Sequence, residues 1–133
     1  MLRSRRHAVA LTLTLAFAAC ATDQAFGPGE TLRGRWGGAN VELVADGTRV
    51  RILLPCAVAE TASPVTVTAD GTVAGDATMA MQWGPSGSVH FHGRLLPTGS
   101  LVLVIDAPFA IAGTLRDGAR GDFSGAVCLA AGH

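Results

Sequence analysis

From residue 31 onward, apolar and polar positions alternate with period two in short runs cut by glycine, proline and aspartate. That period places alternate side chains on opposite faces of a strand. In "VELVADGTRVRILLPC" (41–56), two such runs flank Asp46-Gly47. Asp-Gly between alternating runs predicts a tight hairpin, because glycine accepts the positive φ such turns demand. Val50, Ile52, Leu54 and Cys56 share one face of the second run, and Arg49 and Arg51 the other. "VTVTADGTVAG" (65–75) repeats the device at Asp70-Gly71, with Val65 and Val67 opposite Thr66 and Thr68. "VAGDATMAMQW" (73–83) puts Met79, Met81 and Trp83 on one face. After the turn "GPSG", "SVHFHGRLL" (88–96) sets Val89, Phe91 and Leu95 against His90, His92 and Arg94. "PTGS" then turns the chain into "LVLVID" (101–106), "IAGTLR" (111–116), the turn "DGARG" and a last strand "DFSGAVCLA" (122–130).

Helical periodicity is absent after residue 21. The fold class is therefore all-β. Sequential strands with short loops form an up-and-down meander. A meander of about eight strands closes most naturally into a barrel, since closure removes exposed edges. A two-sheet β-sandwich is the alternative. The interior of such a barrel is filled by side chains or holds one small ligand.

The start of the chain has a different character. Arg3, Arg5 and Arg6 precede "AVALTLTLAFAA" (8–19), a run too short for the roughly 20 residues that span a bilayer. A basic start, a short apolar run and small residues before a cut predict a secretory signal. "FAAC" (17–20) resembles the lipobox of bacterial lipoproteins, in which the cysteine is acylated and becomes the new N-terminus. Phe17 stands where an aliphatic residue is usual, and ordinary cleavage to a soluble periplasmic or secreted protein is the alternative. Ala21 after the cysteine favours, by the same resemblance, the outer membrane facing the periplasm. The chain thus divides into a signal (1–20), a small and polar tether (21–30) and one β domain (31–133).

Removing the signal changes the charge. All ten basic residues are arginine, and three leave with the signal. The rest is seven arginines against ten acids, a net of −3. This argues against nucleic-acid binding, which requires a positive surface. With Cys20 at the junction, Cys56 and Cys128 remain, and an even pair in an exported chain predicts a disulfide. Closing a 72-residue separation is worth on the order of 4 kcal/mol in the entropic model. Two buried free thiols are the alternative. The pair lacks the spacing of a zinc site.

"GRWGG" (34–38), Val41 to Val44, Cys56, Gly113 to Leu115 and Cys128 together resemble a family of bacterial secreted proteins and lipoproteins with no assigned activity. Its members carry an N-terminal G-x-W-G-G strand motif and two domain cysteines. The resemblance covers both ends of the domain. "CAVAE" (56–60) departs from the family's common "CAHG", so a histidine is missing here.

Candidate chemistry is sparse. His90 and His92 project to one strand face and could reach one metal, with a third ligand drawn from His133 or Asp106. No carboxylate or cysteine stands nearby in sequence, and paired histidines on a solvent face are ordinarily just solvated. No metal and no cofactor is expected. No G-x-S-x-G elbow or phosphate-cradling glycine loop occurs. Asp117 and Asp122 lack an evident base or acid partner, as turn aspartates ordinarily do. No catalytic residue and no enzyme activity is expected. Trp36, Met79, Met81, Trp83 and Phe91 are the candidate lining of a pocket for a small apolar ligand, set against plain core filling. Trp36 itself reads as a plug for the barrel floor, with Gly37 and Gly38 letting the chain turn beneath its ring.

The composite expectation is an exported envelope lipoprotein, a small β-barrel with a binding or scaffolding role. Its partners are the membrane, through the lipid anchor, and either a small apolar ligand or a protein. A periplasmic inhibitor acting on a hydrolase by protein–protein contact is the alternative. Replacing the acylated sulfur removes the anchor outright. Fatty-acid labelling of the exported protein should therefore disappear in Cys20→Ala, and label that persists in this variant contradicts the lipobox assignment.

Overall fold

The computed structural model describes residues 26–106 and 110–128. The signal segment with Cys20, tether residues 21–25, and residues 129–133 with His133 lie outside the described residues.

Eight strands follow one another: β1 (Arg33–Gly38), β2 (Val41–Asp46), β3 (Val50–Leu54), β4 (Ala57–Thr61), β5 (Thr72–Met81), β6 (Gly87–Leu95), β7 (Leu101–Ile105) and β8 (Ile111–Asp117). They pair antiparallel in sequence order and close into a barrel. The seam joins β1 to β8 through Trp36 opposite Asp117 and Gly37 opposite Arg116. The architecture is the barrel, not the sandwich. The chain enters at what we term the entry end, where the 47–49, 62–71 and 96–100 connections also lie. Turns 39–40, 55–56 and 82–86 form the far end.

Alternation does what the pattern requires. Leu43, Ile52, Ala59, Val73, Phe91, Leu103 and Leu115 point inward and are buried. The arginines on the other face of β3 meet a carboxylate across the strands: Arg49 pairs with Glu60, and Arg51 Nε lies 3.4 Å from the same side chain.

Three segments depart from the pattern reading. Val65 and Val67 are buried but belong to no barrel strand. The Thr61 hydroxyl accepts from the Val50 amide and donates to the Ser63 carbonyl, which ends β4 and turns the chain inward. The 65–67 stretch then bonds to the entering chain: Leu32 N–H to the Val65 carbonyl at 2.7 Å and Val67 N–H to the Glu30 carbonyl at 2.8 Å. Part of the expected tether is thus docked, with Phe26 packed against the core. The expected turn at Asp70-Gly71 does form, with Gly71 at φ 84°.

The second departure is at Trp83. β5 ends at Met81, and Trp83 stands in the following turn, 52% exposed. Its parity matches Met79, but the ladder that would carry it inward has stopped.

The third is the C-terminal stretch. The described part of "DFSGAVCLA" forms no strand. After β8 the chain reverses at Gly118 and passes back over the outer face of β1. Asp122 N–H donates to the Gly38 carbonyl at 2.9 Å, and Asn40 N–H to the Asp122 carbonyl at 2.8 Å. The return path crosses Gly37 so closely that a Cβ there would lie 2.2 Å from the Arg120 carbonyl carbon. Glu42, on the outer face of β2, is covered and only 8% exposed. It accepts the Gly121 N–H at 3.1 Å and pairs with Arg35 Nε at 3.0 Å. The segment ends in the Cys56–Cys128 disulfide, whose Cα atoms are 5.4 Å apart.

Gly37 is therefore a site of close approach. A methyl at this position must displace backbone, and overpacking of this kind costs about 1–3 kcal/mol. Gly37→Ala should lower the unfolding free energy of the oxidised protein by that amount, read from denaturant unfolding curves. The loss should shrink under reducing conditions, where the freed segment can lift away. An equal loss in both states would show that the strain lies elsewhere.

Candidate functional site

The candidate pocket residues separate into two groups. Trp36, Met79 and Phe91 are core residues, at most 2% exposed. The Trp36 ring folds back over Gly34, where a Cβ would lie 2.9 Å from the ring and φ is +138°. Its Nε1–H donates to the Gly99 carbonyl at 3.0 Å, tying β1 to the turn between β6 and β7. The indole thus seals the entry end. Gly37 and Gly38 remain in β1 and make no turn; the glycine beneath the ring is Gly34. A water-sized void would leave accessible surface on its walls. Phe91, Leu43, Ile52, Val73 and Ile105 have none. The barrel is filled, as close-packed interiors are.

Met81 and Trp83 lie at the far end. A shallow groove there is lined by Leu54, Cys56, Ala57, Val58, Ala80, Met81 and Gln82. Gln82 N–H donates to the Cys56 carbonyl at 2.8 Å, which extends the β4–β5 pairing one rung beyond Met81, to the residue bonded to Cys128. Val127, 72% exposed, precedes the partner cysteine. Among the described residues, Trp83 and Val127 are the large apolar side chains that face solvent; Val127 adjoins Cys128, and Trp83 adjoins Gln82, which bonds the Cys56 carbonyl. Sequence reasoning missed Val127, because alternation assigns it to a strand that does not form.

At the entry end a groove of about 550 Å³ runs between Phe26, the 67–71 turn, Arg94 to Gly99 and Asp117. It opens beside the point where the chain enters the barrel. On the outer wall, β6 presents His90 and His92, with Asp76 and Asp106 on the neighbouring elements. Asp106 is one of the two third ligands the sequence suggested. Asp76 was not foreseen, because its placement depends on the β5–β6 register.

The turn aspartates are structural. Asp46 accepts the Thr48 hydroxyl at 2.7 Å and the amides of Thr48 and Arg49 at 2.8 and 3.0 Å. Those bonds hold its pKa at about 2, the Thr48 hydroxyl contributing most. Asp70 is likewise held at about 2, first by the Thr68 hydroxyl and then by Thr72. The Ser124 hydroxyl and amide lower Asp122 in the same way. Charged acceptors bonded to donors favour ionisation.

Comparison with protein-family models, with curated proteins and with solved structures finds no match.

The two Asp-Gly turns set a pH dependence. An unfolded aspartate takes up its proton near pH 4, whereas Asp46 and Asp70 hold theirs off to about 2. Between those values the unfolded chain binds more protons, so stability falls as pH falls. Above about pH 4 their contribution is complete. Denaturation midpoints followed from pH 6 to 2 should drop across that window, and less so in Asp46→Asn. Carboxyl carbon resonances of both residues that titrate near pH 4 would contradict the capping account.

Proposed function

We propose that this chain is an exported cell-envelope protein, anchored through a lipid on Cys20, that works as a binding or scaffolding domain by surface contact with another protein. The observation that carries this reading is the pair of exposed apolar side chains at the far-end rim, Trp83 next to Gln82 and Val127 next to Cys128, while the side chains that point into the barrel are buried. Large exposed apolar groups suit protein contact, since tryptophan is enriched at binding hot spots. A filled interior removes the chamber that an apolar ligand would need. The entering chain lies at the opposite end, so an anchor preceding it leaves the rim facing away from the membrane. The role is non-enzymatic.

Inhibition of a periplasmic hydrolase is a specific form of the same reading. It is favoured by the exposed Trp83 in the β5–β6 turn, because an aromatic anchor that fills a partner's pocket carries much of a contact's energy.

A photo-crosslinking residue at Ser86, beside Trp83, should yield one discrete protein adduct in cells, and Trp83→Ala should abolish it. The same probe at Thr98 on the entry end should yield none. Equal adducts from both ends, or a lipid retained on the purified protein in native mass spectrometry, contradicts the proposal.

A further inference from the structure

We infer that His90, His92 and Asp106 form a surface site for a borderline divalent cation such as Zn²⁺. The sequence supplies only the pair. Residues two apart on β6 share its outer face, and the described imidazoles stack with ring centroids 6.3 Å apart. The third group comes from the sheet. Phe91 lies opposite Ile105 in the β6–β7 ladder, so the next rung sets Asp106 opposite His90. The Asp106 N–H donates to the His90 carbonyl at 2.9 Å, which fixes the rung. Its carboxylate lies diagonally beside His92, 3.6 Å from Nδ1. One ligand atom from each of the three side chains falls within 4.8 Å of the others.

Two nitrogens and one carboxylate oxygen are the donors that Zn²⁺ takes, at about 2.0–2.2 Å from each. Closing the present spacing to that geometry needs only side-chain rotation. All three groups are about half exposed, so rotation meets little packing.

Asp76 makes the case stronger. It lies opposite His90 on the other side of β6, with Oδ1 2.9 Å from the His90 Nδ1. A histidine that donates Nδ1–H to a carboxylate keeps its Nε2 lone pair for a cation. This carboxylate–histidine arrangement orients metal-ligating imidazoles and raises their basicity. The two aspartates thus have different roles: Asp106 is a ligand and Asp76 a positioning residue. Three protein ligands leave a coordination position for water or for a donor on another molecule. The site is on the barrel wall and does not rest on the far-end rim.

Isothermal titration of the purified metal-free protein with ZnCl₂ should show saturable one-to-one binding. His92→Gln, His90→Gln and Asp106→Asn should each weaken it by about tenfold or more, and Asp76→Asn by about tenfold. His133→Ala should leave it unchanged. All four site positions are on the outer face, and circular dichroism checks that each variant folds. Amide NMR of the unmutated protein gives a second reading: Zn²⁺ should shift resonances around 76, 90–92 and 104–106. No saturable binding, binding that survives His92→Gln, loss in His133→Ala, or shifts centred elsewhere would overturn the assignment.

Discussion

The barrel is held shut at one short seam. β1 and β8 share two residue pairs, whereas every other neighbouring pair of strands shares four or more. A closed sheet has no free edge only while that seam holds. The segment after β8 completes it. It folds back across β1, bonds on both sides of Ala39, covers Glu42 and ends in a covalent link to the β3–β4 turn. Gly37 is bare so that this return path can lie flat on the strand. The disulfide therefore also keeps the strap that backs the seam in place.

Inside, the same economy of space applies. Trp36 occupies the entry end, bonded to the β6–β7 turn through Gly99, and Phe91 is fully buried. Two surface features stand out for physical reasons. The far end exposes the apolar side chains of Trp83 and Val127, and the β6 wall carries ring nitrogens beside carboxylates. Neither depends on the other.

Period-two alternation and the Asp-Gly turns made most strands readable from the chain, because both are local effects. β6 and β7 follow the pattern closely, and so does the first half of β3. Reading failed where a strand-like pattern had no neighbour to pair with. Val65 and Val67 alternate like a strand but meet the entering chain instead. Trp83 keeps the parity of β5 after its ladder has ended. Glu42 lies on the outer face of β2, and nothing local announces that Gly121 will cover it.

The sequence by itself determined the all-β class, the order of the strands, the identity of the inward faces and the cysteine pair available for bonding. Each of these follows from side-chain period, turn chemistry or residue count. Only the tertiary structure decided that the barrel is filled, that the C-terminal stretch is a strap rather than a ninth strand, and that Asp106 and Asp76 flank the two histidines. Those outcomes depend on register and on close approach between segments distant in the chain. Such contacts are set by the closing of the sheet as a whole, and no short stretch of sequence carries them.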